Sequence, residues 1–314
     1  MSSRTSQRAR ILAYRYAWNY PIPRRPVTLP TFMSRRSRAL GTIAGGLRYI
    51  QTMRVNHTRE RLSKGETVFG CGLQVYRSPE ICRMFAAAGF DYVFIDMEHG
   101  AFDLETVQDM IKAALESGIT PIVRVAELLY SLIARLLDAG AQGIILPRVE
   151  DPKVLEEAVG WMRFPTEGTR GYGVNPTMLG YESHTFPEVI EHLNRNTLSV
   201  VQFETVTAME RADELLSVRG TNIAMVGPAD LSISLGVPGQ LEHPLLVSTV
   251  DRLIEKCVAH HVVPGIQTRT LAAARFWTER GMRFVGASAE HGLLLEKARE
   301  TVAALQAVKT ASRA

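Results

Sequence analysis

The sequence predicts a (β/α)8 TIM barrel of the α/β class, extended by a C-terminal helix and preceded by a basic, disordered leader. Three observations predict it. From Val68 onward, eight short apolar runs alternate with stretches of helical period. Strict alternation argues parallel strands with helices outside, and the number eight favours closure over an open sheet. Gly89, Gly118, Gly140, Gly220 and Gly281 each fall after a helical stretch and before a strand, the place of a helix C-cap.

The elements follow in order. The strands are expected at Val68–Leu73, Tyr92–Asp96, Pro121–Val125, Gly143–Leu146, Leu198–Glu204, Asn222–Val226, Val263–Ile266 and Arg283–Ala287. The helices between them are expected at Pro79–Ala88, Leu104–Ser117, Leu129–Ala139, Pro152–Arg163, Ala208–Val218, Pro244–His260 and Leu271–Arg280, with a last one at Leu293–Val308. The stretch Phe164–Phe186 is rich in Gly, Pro and Thr. A loop that long in a compact domain is usually functional.

The chain has 314 residues, which suits one barrel of about 250 residues plus an extension. No apolar run approaches the roughly 18 residues of a membrane span. Cys71, Cys82 and Cys257 have no metal-type spacing and read as reduced thiols of an intracellular protein. The net charge of +4 misleads, because residues 1–52 hold ten arginines, no lysine and no acidic residue. Removing them leaves 26 basic against 32 acidic residues, so the body carries about −6. The expected division is a leader at 1–60 and a barrel at 61–314. Two readings of the leader stay open: a mitochondrial transit peptide, which would put the protein in the matrix, or a tail without an address on a cytoplasmic protein. The start codon is Met1 or Met53. No aromatic-basic module points to nucleic acid, and nothing points to a membrane partner.

Chemistry in such a barrel sits where strands end. The second strand runs into Asp96, Glu98 and His99, the third into Arg124, and the fourth into Pro147 and Arg148. The fifth delivers Gln202 and Glu204, the sixth Gly227-Pro228-Ala229-Asp230, the seventh Gln267, and the eighth Ser288 and Glu290. Polar groups converge on one rim, which argues for an enzyme. Glu204 and Asp230 come from neighbouring strands. They read either as ligands of a hard divalent cation or as helix caps. Arg124 suits a carboxylate or an enolate, or else a salt bridge to a rim acid. His99 is the best general base, with a surface residue as the bland reading. None of the six lysines falls at a strand end, which argues against a Schiff base, and no GxSxG elbow occurs. An acidic site with one arginine and one histidine fits metal-assisted enolate chemistry.

At this point the residues resemble a known family. The stretches from Ala88 to His99, Leu137 to Gln142, Gly168 to Gly171, Gln202 to Thr205 and Gly227 to Ser232 together resemble the HpcH/HpaI aldolases, metal-dependent class II pyruvate aldolases related to the citrate lyase β-subunit. The resemblance runs from about Gly65 to Leu305. It implies Mg²⁺, Mn²⁺ or Co²⁺ on Glu204 and Asp230, with Gln202 holding a metal-bound water or the substrate. It implies that Arg124 contacts the keto oxygen of pyruvate, that Asp96 orients the site, and that the backbone from Gly227 through Ala229 to Asp230 receives the pyruvate carboxylate. His99 would act as base through a water, supported by Asp138 from a neighbouring subunit. The assembly would be a homo-hexamer, a trimer of dimers, with the last helix exchanged between protomers. The chain departs from the family pattern at Cys71–Gln74, at Val125, at Arg148 and at Glu290, so the aldehyde is not carried over.

The expected reaction is reversible cleavage of a 4-hydroxy-2-oxo acid to pyruvate and an aldehyde. The alternatives are decarboxylation of an oxaloacetate-type 2-oxo diacid or an enolate condensation on the same site. The non-enzyme alternative is a metal-dead barrel scaffold.

Overall fold

The computed structural model describes residues 53–311, and the leader expectations for 1–52 lie outside them. Eight parallel strands close a barrel in sequence order, each paired with its neighbours and β8 with β1. The strands are β1 Val68–Leu73, β2 Tyr92–Asp96, β3 Thr120–Arg124, β4 Gly143–Leu146, β5 Leu198–Phe203, β6 Ile223–Val226, β7 Val263–Thr268 and β8 Phe284–Ala289. The helices are α1 His57–Ser63, α2 Glu80–Ala88, α3 Leu104–Ser117, α4 Tyr130–Ala139, α5 Pro152–Gly160 and α6 Phe186–Asn196. They continue with α7 Val206–Glu210, α8 Ala212–Leu216, α9 Pro228–Ser234, α10 Pro244–Ala259, α11 Leu271–Glu279 and α12 Glu290–Ala311. Among the described residues no helix is long and apolar enough to cross a membrane.

Strand residues alternate between two apolar regions because successive side chains point to opposite faces. One face packs on the helices: Val93, Ile95, Val123, Ile144, Val201 and Ala224 join the larger core. The other fills the barrel with Val68, Tyr92, Phe94, Ile122, Ile145, Val200, Met225 and Phe284. A side chain of this kind contributes roughly 1.5–3 kcal/mol when fully buried. The largest of these residues meet where a strand is bare. The Tyr92 and Phe284 rings stack with centroids 4.1 Å apart. A Cβ on Gly70 would stand 2.2 Å from the Tyr92 ring, so only glycine fits beside it.

The structure departs from the sequence expectations in several places. Helix α1, not expected, closes the lower end: its Leu62 joins the interior cluster, and Asn56 caps it by accepting from the Arg59 N–H at 3.0 Å. Seven residues are too few to display a helical period. Met53 is also buried, so residues 53–60 pack with the barrel, upstream of the boundary expected at 61. Helix α6 was likewise unassigned, although Thr185 and Glu188 form the capping box that marks its start. The stretch expected as Ala208–Val218 is two short helices meeting at Arg211. Finally, β7 and β8 run two residues further than expected, and the last helix starts at Glu290 rather than Leu293.

Candidate active site

The period of two that fills the barrel with carbon below places charge above. Phe94 is followed on the inner face by Asp96, Ile122 by Arg124 and Val200 by Gln202. Register then makes Asp96 and Arg124 direct neighbours across β2 and β3. Asp96 Oδ1 accepts from Arg124 Nε at 2.9 Å and Oδ2 from Nη2 at 2.7 Å, a bidentate pair with both partners buried. Oδ1 also accepts the Glu98 and His99 N–H groups at 3.1 and 3.2 Å, and Oδ2 the Gln74 side-chain amide at 2.8 Å. Burial alone would raise this carboxyl, but the Arg124 guanidinium and the other donors hold it below the usual carboxylate range. Arg124 is raised in turn: burial opposes its charge, and the facing carboxylates outweigh that.

Asp96 occupies one edge of the guanidinium and leaves Nη1 for the mouth. There Nη1 lies 3.0 Å from Glu98 Oε2 and donates to Gln202 Oε1 at 3.3 Å. The Glu98 contact is an ion pair without hydrogen-bond geometry, so the buried Oε2 has no hydrogen-bond donor. Gln202 Nε2 donates to Glu204 Oε2, and Glu204 Oε1 accepts the Arg148 N–H at 2.9 Å. The Glu204 carboxyl is raised, first by burial and further by the charges of Glu98 and Asp230. Gly227 stands against it: a Cβ there would lie 3.1 Å from Glu204 Oε2 and 3.0 Å from Gln202 Nε2. Asp230 occupies the first turn of α9, exposed, and the Ala229 carbonyl accepts from Ser232 Oγ at 2.6 Å.

The fold therefore brings Asp96, His99, Arg124, Gln202, Glu204, Gly227, Ala229 and Asp230 to one rim. His99 is half exposed there, with Nε2 at 3.9 Å from Glu98 Oε2. Asp138 is not among them. It ends α4, at the opposite end of the barrel, where its Oδ1 accepts from Arg170 Nη2 at 2.8 Å.

Three further residues belong to the mouth and had no assigned role. Glu98 bridges two arginines, since its Oε1 accepts from Arg148 Nε at 3.0 Å. Gln74 follows β1 and holds Asp96; the strand-end criterion that selects the others reaches it too. Glu290 is buried, and its Oε1 accepts the N–H groups of Gln74, Val75 and Tyr76 at 2.9, 2.5 and 3.1 Å.

The donor set suits a hard divalent cation. Glu204, Asp230 and the Gln202 amide carry oxygen atoms of the kind such a cation takes, and Gly227 keeps the space beside Glu204 clear of a side chain. Around Arg124, four carboxylates (Asp96, Glu98, Glu204 and Asp230) face two guanidinium groups, Arg124 and Arg148. Among the described residues no group of three or more His, Cys, Asp or Glu side chains is set to hold a metal.

Known proteins resemble this chain over most of its length. The family model for HpcH/HpaI aldolase/citrate lyase matches residues 74–295. A hydroxypyruvate/pyruvate aldolase of Roseobacter denitrificans is 32% identical over 252 residues, covering 79% of this chain and 96% of that protein. A 5-keto-4-deoxy-D-glucarate aldolase of Salmonella paratyphi A is 30% identical, covering 76% and 91%. The crystal structure of an HpcH/HpaI aldolase from Desulfitobacterium hafniense superposes with a TM-score of 0.75 at 29% identity, covering 79% of this chain and 96% of that one.

Proposed function

The chain belongs to the HpcH/HpaI aldolase/citrate lyase family of carbon–carbon lyases, and from that premise we propose that it cleaves a 4-hydroxy-2-oxo acid reversibly to pyruvate and an aldehyde. One observation carries the reading: Asp96 locks the plane of a buried Arg124 so that Nη1 faces the mouth beside Gln202 and Glu204. A donor fixed before substrate arrives, in a site poor in water, is how a developing oxyanion is best stabilised.

Glu204 and Asp230 would hold a divalent ion, Mg²⁺ or Mn²⁺, with Gln202 adjoining. Such an ion supplies Lewis acidity toward the 2-oxo acid. The chain's own residues do the rest. The first N–H groups of a helix have no partner within it, so the Ala229 and Asp230 N–H groups are available to the pyruvate carboxylate, while the Gly227 N–H donates to the Phe203 carbonyl at 3.0 Å and fixes the turn that presents them. Arg124 Nη1 donates to the keto oxygen. His99, through a water, takes the proton of the 4-hydroxyl; the C3–C4 bond breaks; its electron pair passes into the enolate held by Arg124, and the aldehyde departs. Protonation at C3 completes pyruvate. Asp96 positions Arg124 and the His99 backbone together.

The names of the relatives favour pyruvate or hydroxypyruvate as the enolate partner. A hexameric assembly is supported by the exposed Leu294, Leu295, Val302 and Leu305 on α12 and by Asp138 lying away from its own mouth; a monomer by sedimentation contradicts it. The three buried thiols support a cytoplasmic location.

The direct test is deuterium exchange at C3 of pyruvate. Exchange should occur with Mn²⁺, disappear with EDTA, and be lost in Glu204→Ala together with Mn²⁺ binding. Full activity after EDTA, or normal Mn²⁺ binding by Glu204→Ala, contradicts the reading.

A further inference from the structure

Glu290 is a wholly buried carboxylate with no lysine or arginine against it among the described residues. The one basic group within reach there is His291, with Nδ1 3.5 Å from Oε2. Oε2 is buried without a hydrogen-bond partner, while Oε1 takes three successive backbone N–H groups, those of Gln74, Val75 and Tyr76. An acid in the first turn of a helix is ordinarily there for that helix. The hydrogen bonds of this one go instead to the loop after β1. Burying a charge is costly unless donors meet it, and an apolar side chain could anchor a loop without that cost.

Gln74 is what the clasp holds, and it is tied three ways. Its N–H donates to Glu290, its carbonyl accepts from the Ala101 N–H at 3.1 Å, and its side-chain amide donates to Asp96 Oδ2 at 2.8 Å. The last tie has a special place. Asp96 Oδ1 has two backbone N–H groups to hold it besides Arg124. Oδ2 has, among the described residues, only Gln74 besides Arg124 Nη2. Without Gln74, that oxygen would be steadied only by the guanidinium it has to steady. The plane of Arg124, and the aim of its Nη1 at the mouth, then depend on an amide whose own backbone is fixed by Glu290.

We propose that Gln74 is a positioning residue for Arg124, acting through Asp96, and that Glu290 positions Gln74. This deepens the aldolase reading above and rests on it. Arg124 would meet the enolate as its charge develops, so a misaimed Nη1 lowers kcat more than it weakens pyruvate binding.

The experiment measures C3 deuterium exchange by the full chain with Mn²⁺ across pyruvate concentrations, together with Mn²⁺ affinity. In Gln74→Met, which keeps the length of the side chain and removes its donor, kcat for exchange should fall roughly 10–100-fold, with KM and Mn²⁺ affinity within about twofold of the wild type. General disruption would not give that split. Glu290→Ala should lose exchange in the wild-type background and lose much less in that of Gln74→Met. If Glu290→Ala does not fold, Glu290→Gln, alike in shape but uncharged, should show a smaller loss with the same dependence on Gln74. Unaltered exchange in Gln74→Met, loss of Mn²⁺ binding with it, or losses that multiply in the double variant overturn the assignment alone. No exchange in the wild type overturns the aldolase reading and the assignment with it.

Discussion

The lower and upper halves of the barrel interior are built by the same strands and obey opposite rules. Below, Phe94, Ile122 and Val200 meet other carbon, and fit is a matter of volume. Above, two residues further along, Asp96, Arg124 and Gln202 meet one another, and fit is a matter of paired charge. The lower half can change residues singly, at a cost set by the space left behind. The upper half cannot, because removing one partner strands the other without water. Stability is spread across the first and concentrated in the second.

The largest effect that would break this contrast is Arg124→Met. It should cost about 3–5 kcal/mol in chemical denaturation, whereas Asp96→Leu with Arg124→Met should recover most of that and remain inactive. Equal losses in the single and double variants would show that the pair is not a unit. Ile122→Val, one step below Arg124, should cost only about 0.5–1.5 kcal/mol and leave C3 exchange in place.

The smallest effect is a tilt with pH, and it separates two carboxylates of the one cluster. Asp96 is held low, so its contribution is complete above the ordinary carboxylate value of about 3.9 and is lost as pH falls through the folded value. Glu204 is raised, so its term has the opposite sign: stability falls as pH rises from its ordinary value through its folded one. Metal-free Asp96→Asn should therefore show a flatter acid limb than the wild type, and metal-free Glu204→Gln a steeper rise with pH in the window just above. Denaturation at a series of pH values reads both.

The sequence made the barrel legible because closure depends on a count of apolar runs and on glycines at helix ends. It made Asp96, Arg124, Gln202 and Glu204 legible because each ends such a run. Other members of the site were hidden for physical reasons. Glu98 acquires its bridging role between Arg124 and Arg148, and the latter reaches it from another strand on a left-handed backbone that no pattern announces. Glu290 lies in a stretch where β8 runs on directly into α12, and no turn residue marks the change. Helix α1 was invisible because its reason to exist is the barrel's open lower end, a property of the assembled fold.

Glu290 has one more consequence. It stands at the start of the final helix, yet it grips the N–H groups that follow the first strand, and Gln74 there steadies Asp96. During synthesis, β2 to β6 emerge carrying most of the mouth while that clasp is still unmade. Domains fold as units as they leave the ribosome, and here the reacting centre is completed by a residue that follows all eight strands. A truncated product of this chain would hold nearly every residue of the mouth and still lack the tie that draws its first strand's loop into place.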